Sequence, residues 1–201
     1  MPKLLVATNN KGKLREYLHL LRGLPCELVS LAEKGIAEVN CEDGQTFEDN
    51  AALKARRYAR LSGLLTLADD SGLEVDALGG RPGVHSARYG GQTTDEGRIA
   101  LLLREMEGVP WEKRSARFRC VIAIDSGSGE STLCEGECRG SICFDPRGME
   151  GFGYDPVFYL PELGRSMGEL SLEEKGRVSH RAMAARKARQ VLPGLLKGAP
   201  H

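Results

Sequence analysis

Asp69 and Asp70 are adjacent carboxylates at the end of a short apolar run, Leu64 to Ala68, and Ser71-Gly72 follows them. The segment reads as a strand end giving way to a turn, a placement that aims a rigid acidic group into a cleft. Neighbouring side chains on a strand point to opposite faces, so at most one of the two faces a given site and the other has structural work. A solvated turn, in which Asp side chains accept backbone N–H groups, would use the same residue types.

Three further clusters could carry chemistry. Thr8-Asn9-Asn10-Lys11-Gly12-Lys13 stands between a predicted strand and its helix. A helix N-terminus offers unpaired N–H groups and a positive dipole end, and lysine adds a mobile cation, so a polyphosphate is a natural guest. The GxxxxGK[ST] pattern is absent, which disfavours a P-loop fold; an Asn-capped helix with two solvated lysines fits the residues equally. Gly151-Phe152-Gly153-Tyr154-Asp155-Pro156 is a glycine-flanked aromatic pair. Glycines let backbone approach a planar ligand, and a ring stacked on a base contributes about 1 to 3 kcal/mol. Inward packing of Phe152 and Tyr154 from a tight turn is the structural alternative. Lys175 and Ser179-His180-Arg181 form the last cluster. The arginine fork suits the O6/N7 edge of a 6-oxopurine, where adenine presents an amino donor instead. A basic, solvated helix end is the other reading, since Arg186, Lys187 and Arg189 continue the positive run.

Carboxylates near these clusters raise the question of a metal. Glu42-Asp43 and Glu48-Asp49 flank Phe47, and carboxylate oxygens suit Mg²⁺, which usually takes one or two of them together with substrate phosphates. Glu48 and Asp49 are accounted for as first-turn acids of a helix; Glu42 is not.

The elements that must position these groups follow from periodicity. Lys3 to Ala7 and Leu28 to Leu31 read as strands on either side of a helix from Lys11 to about Leu21. Thr46 starts a second helix, Phe47 to about Leu61. Beyond the expected Asp69-Asp70 turn, Leu73 to Leu78 precedes the loop Gly79-Gly80-Arg81-Pro82-Gly83 and a helix from about Thr94 to Met106. Ala116 to Asp125 and Ser131 to Phe144 read as a hairpin. A last helix runs from Ser179 as N-cap to about Leu192, where Pro193-Gly194 is expected to stop it. The inferred class is α/β with a mixed parallel and antiparallel sheet in a single domain, residues 1–201.

Composition narrows the partners. With 28 basic and 28 acidic side chains among 201 residues, no global field draws the chain to duplex nucleic acid or an anionic membrane. No apolar run reaches the roughly 18 to 20 residues of a membrane span, and no secretory signal opens the chain, so a cytoplasmic protein is expected. Of the six cysteines, Cys134, Cys138 and Cys143 are spaced by four and five with no paired CxxC and no nearby His; buried free thiols are the expectation.

Taken together, the motifs resemble the inosine triphosphate pyrophosphatase family, in particular its bacterial branch acting on noncanonical purine nucleotides. The matching residues are Leu5 to Lys13, Thr46-Phe47 through Asn50-Ala51 and Lys54-Ala55, Ala68 to Leu73, Gly79-Gly80 with Pro82-Gly83, Ser86 to Tyr89, Gly151 to Pro156, and Lys175 with Ser179-His180-Arg181. They run in the family's order over most of the chain. The resemblance implies two lobes with an active-site cleft between them and a homodimer. It also implies Mg²⁺-dependent hydrolysis of XTP, ITP and dITP to the monophosphate and pyrophosphate. By position, Thr8, Asn10 and Lys13 would hold the triphosphate within the loop that also includes Asn9, Lys11 and Gly12. Glu42 and Asp70 would organise metal. Asp70 would be the catalytic base for water attacking the α-phosphorus, directly or through the metal. Ser71 would contact substrate beside it. Phe152, Gly153, Tyr154 and Asp155 would form the base-facing loop, and Lys175, His180 and Arg181 would complete base recognition. Asn9 stands where relatives are often small, and Cys41 stands where some carry a second acid, which leaves Glu42 as the upstream ligand. Two other functions use a similar pocket: a Maf-like pyrophosphatase acting on other bases, and a purine nucleotide sensor that binds without cleavage.

Overall fold

The structure is a computed structural model that describes residues 1–37 and 44–198. Glu42, the expected upstream metal ligand, and Cys41 lie outside the described residues. The chain is α/β. One seven-stranded sheet has the order β2-β1-β3-β4-β5-β6-β7, built from β1 (Lys3–Val6), β2 (Glu27–Ser30), β3 (Leu65–Val75), β4 (Ser115–Asp125), β5 (Thr132–Ile142), β6 (Phe158–Leu160) and β7 (Arg165–Ser166). β1 pairs in parallel with β2 and with β3, whereas β5 with β6 and β6 with β7 are antiparallel. The helices are α1 (Lys11–Leu20), α2 (Phe47–Ser62), α3 (Asp95–Glu105), α4 (Leu172–Val178) and α5 (His180–Gly198).

Two compact units divide the chain. One comprises Met1–Asp70, Cys120–Gly136 and the chain from Arg181 onward; the other comprises Ser71–Arg119 and Glu137–His180. Each has its own apolar core. In the first, Leu4, Val6, Leu67, Cys120 and Ile122 pack with Tyr17 of α1, with Leu21 just after it, and with Ala184, Ala185, Ala188 and Leu192 of α5. The alanines of α5 present a narrow face to the core, and burying it adds to the high helix propensity of the Ala, Arg, Met, Lys and Leu residues that make up most of the helix. In the second, Leu73, Val75, Phe118, Ile142 and Phe158 pack with Ile99 and Leu102 of α3 and with Met106 at its C-terminal end.

Local signals explain the helix ends. Thr46 and Thr94 cap α2 and α3, accepting the amides of Asp49 and Gly97 through their hydroxyls, and each first turn carries two acids that favour the positive dipole end. Ser171 and Glu174 form a capping box at α4. The sequence reading does not include α4, although the Ser-x-x-Glu spacing marks its start.

Two expectations are corrected. The Asp69-Asp70 segment is not a turn: β3 runs for 11 residues straight through Asp69, Asp70, Ser71 and Gly72. Nine of those 11 residues are buried, so turn-permissive residue types are overridden by burial on both faces of an interior strand. Nor does Pro193 end the last helix, which continues to Gly198. Proline there forfeits one intrahelical hydrogen bond, but Leu192 and Leu196 on either side of it are both buried in the first core, and that burial holds the final turns. The five described cysteines, Cys26, Cys120, Cys134, Cys138 and Cys143, are buried free thiols, as expected.

Candidate active site

β3 presents its two aspartates to different partners. Asp69 Oδ2 lies 2.9 Å from Lys13 Nζ and 3.8 Å from Arg181 Nε. Asp70 Oδ2 accepts a hydrogen bond from Asn50 Nδ2 at 2.9 Å, and its Oδ1 is 3.8 Å from Lys54 Nζ. This is the strand alternation expected of neighbours, and it splits the pair electrostatically. Burial alone would raise both carboxyls. At Asp69, Lys13 and Arg181 outweigh burial and hold the group at about 2; at Asp70, burial prevails over Lys54, Lys13 and Asn50, and the pKa is raised. Asp69 is an anchor that stays ionised at neutral pH, and Asp70 is the more basic carboxylate.

The groups around them come from regular elements. Asn10 caps α1 by accepting the Lys13 amide at 3.0 Å, and Thr8 Oγ1 accepts the Asn10 amide at 3.2 Å, so Thr8 and Asn10 shape the entry of the chain into the helix. Asn9 and Lys11 are exposed beside them. One turn on, Glu16 accepts a 2.6 Å hydrogen bond from Arg181 Nη1; both are buried. Burial alone would lower the guanidinium's pKa, but Glu16 and Asp69 carry it well above its ordinary value. The Tyr17 hydroxyl lies 3.6 Å from Cys120 Sγ, and burial pushes that thiol up to about 12.

Asn50 is a two-sided bracket: its Oδ1 accepts the Gly44 amide at 2.8 Å while its Nδ2 donates to Asp70. Gly44 can only donate and an ionised Asp70 can only accept, so the amide has one satisfied orientation. Neither Asn50 nor Lys54 was assigned a site role from sequence, although their i, i+4 spacing places them on one face of α2; Glu16, three residues after Lys13, is likewise on its face of α1.

The second unit carries the glycine and aromatic loop. Asp155 Oδ2 accepts from Lys175 Nζ at 2.8 Å and from the Phe152 amide at 3.2 Å. Asp95, the first residue of α3, accepts the Gly153 amide at 2.7 Å, and the buried Tyr154 donates its hydroxyl to the Ser86 carbonyl at 3.0 Å. Gly151 has φ +90°, and a Cβ there would run into Lys175 Nζ and Asp155 Oδ2. The His180 ring stacks on Phe118 with centroids 4.6 Å apart. Lys175 and His180 therefore belong to the same unit as the loop, Ser71 begins that unit, and Arg181, next to His180 in sequence, is engaged by Glu16 and Asp69 in the other.

Among the described residues no group of three or more His, Cys, Asp or Glu side chains gathers as a metal-binding cluster. Asp70 is nevertheless suited to a hard cation: it supplies carboxylate oxygen and is buried at 6% exposure, and burial disfavours its ionised form, a penalty that a bound cation would relieve. Asp69 is already neutralised by Lys13 and Arg181.

Comparison with known proteins places this arrangement in context. A profile of the Ham1 family matches residues 4–191. A dITP/XTP pyrophosphatase of Geobacter sulfurreducens is 54% identical over 186 residues, covering 92% of this chain and 93% of that protein. A protein of the same name in Bacillus subtilis is 44% identical over 193 residues, covering 96% of this chain and 98% of that one. Among solved structures, a HAM1 protein from Coxiella burnetii matches with a TM-score of 0.86 at 41% identity, over 96% of this chain and 100% of that one.

Proposed function

The chain belongs to the Ham1 family, and from that premise we propose that it is a nucleoside triphosphate pyrophosphatase hydrolysing XTP, ITP and dITP to the monophosphate and pyrophosphate, cleansing the nucleotide pool. The relatives named dITP/XTP pyrophosphatase support the substrate class. One observation in the chain itself carries the chemistry: adjacent carboxylates on β3 are pushed in opposite directions, Asp69 down and Asp70 up. Paired acids with separated affinities for protons divide an anchoring role from a proton-accepting one.

In this reading Asp70, oriented by Asn50, positions the attacking water and takes its proton as the water oxygen bonds to the α-phosphorus. The bond from that phosphorus to its bridging oxygen breaks, and pyrophosphate leaves. Lys13, steered by Asp69, and the α1 N-terminus with Thr8 to Gly12 hold the triphosphate oxygens. Mg²⁺, when bound, would supply charge neutralisation at the phosphates; Asp70 would hold it, with Glu42 as the second carboxylate. Ser71 touches substrate beside Asp70. Phe152 to Asp155 face the base, with Lys175 and His180 of the same unit, while the Arg181 fork acts through Asp69. The reading includes a homodimer in the cytoplasm; among the described residues no helix is long and apolar enough to cross a membrane.

Pyrophosphate release from ITP, XTP, GTP, ATP, dTTP and UTP with Mg²⁺ tests the proposal. Preference for ITP and XTP is expected. A pyrimidine preference would replace it with a Maf-like activity, and binding without release would replace it with a nucleotide sensor.

A further inference from the structure

The loop proposed to face the base is braced from outside itself by a residue with no assigned part in the reaction. Asp95 Oδ2 accepts the Gly153 amide at 2.7 Å. Its other oxygen pairs with Arg98 one turn along α3, and Arg98 in turn donates to the carbonyls of Ala87 at 3.0 Å and Gln92 at 3.1 Å. The carboxylate is thus clamped before it reaches the loop. On the near side of the same residue pair, Asp155 Oδ2 accepts the Phe152 amide. The two peptide planes flanking the Phe152 Cα are therefore each tied to a carboxylate, one from inside the loop and one from α3. With both planes held, φ and ψ of Phe152 are fixed, and only its two side-chain torsions remain to place the ring. Gly153 itself sits at φ +61°, a conformation open to glycine without strain, so the turn has no steric stop of its own and depends on these bonds for its shape.

We infer that Asp95 is a positioning residue for base discrimination: by holding the Gly153 amide it sets where the Phe152 ring meets the purine. The inference rests on the base-facing role proposed for residues 152–155. Stacking depends on ring separation and mutual orientation but tolerates any base, whereas loop polar groups placed for one base lose selectivity when they shift. A displaced loop therefore weakens binding of 6-oxopurines more than it slows a step taking place at phosphorus.

Two near-isosteric variants separate this role from simple helix stabilisation. Asp95→Asn keeps an acceptor oxygen for the Gly153 amide but removes the charge and turns its NH2 toward Arg98, which keeps its bonds to the Ala87 and Gln92 carbonyls. Asp95→Glu keeps the charge at the first turn of α3 but moves the carboxylate out by one methylene. The positioning role predicts that Asp95→Glu raises KM for ITP about tenfold with kcat within about twofold, and lowers the ITP to ATP ratio of kcat/KM, while Asp95→Asn stays within about threefold of wild type in both. The opposite order, with Glu near normal and Asn impaired, would assign Asp95 to the helix dipole and overturn the inference, as would unchanged ITP to ATP ratios in both. Wild-type protein that does not discriminate ITP from ATP would defeat the base-facing reading first, and this inference with it; a discriminating wild type whose Glu variant still discriminates defeats this inference alone.

Discussion

Carboxylates are held in opposite styles in the two units. Around β3 and α1 charge is answered by charge: Asp69 meets Lys13 and Arg181, and Arg181 meets Glu16. At the 151–155 loop, carboxylates divide between charge and backbone: Asp155 takes the Phe152 amide as well as Lys175, and Asp95, from α3, takes the Gly153 amide as well as Arg98. The cause is the backbone each must serve. A strand and a helix satisfy their own amides, so their acidic side chains are released for electrostatic work; a glycine-rich loop has no ladder, so acids are spent on its shape. A carboxylate that takes up loop amides is therefore a sign of architecture, whichever element carries it, and one answered only by charge is a sign of electrostatic work.

That contrast breaks first, and hardest, at Asp70. Asp70→Asn is expected to lower kcat by about 10²- to 10⁴-fold while the dissociation constant for ITP stays within a few-fold; near-normal turnover would remove the distinction between Asp69 and Asp70. Asp69 is the next lever. Its ordinary carboxyl value is near 3.8 and the folded one about 2, so the stability it contributes, about 2 kcal/mol, is full above the unfolded value and lost as pH falls through that window. Urea unfolding of wild type and Asp69→Asn should show a gap at pH 7 that closes between about pH 4 and pH 2; a gap constant with pH would mean Asp69 is not ionised against its partners. The smallest effect belongs to the loop. Gly151→Ala, at φ +90° and against Lys175 and Asp155, should cost about 1 to 2 kcal/mol and raise KM for ITP with kcat nearly unchanged. A matching loss of kcat would mean that this loop is not confined to base binding.

Sequence periodicity was sufficient for most helices and strands because their apolar spacing and caps are local. It failed at Ser71-Gly72, where burial on an interior strand overrides turn chemistry, and at Pro193, where the core contacts of Leu192 and Leu196 outweigh one lost hydrogen bond. Asp70 and Lys13 were legible as candidates because adjacent acids and a lysine at a helix start carry their chemistry in their spacing. Asp95 was not, because its role is a bond to an amide 58 residues away, and no local pattern encodes that. The Arg181 pairing with Glu16, 165 residues apart, was hidden for the same reason.

The buried thiols give the molecule a built-in reporter. Cys26, Cys120 and Cys134 lie in the first unit and Cys138 and Cys143 in the second, and burial raises the pKa of every one of them. A thiol-reactive probe needs both access and thiolate, so each site labels only when its surroundings open. In a Cys41→Ala background, the labelling rate of each cysteine, read by peptide mass, becomes a clock for the opening of its own unit. The same chain thereby times the loosening of its two cores separately, with no cysteine added to it.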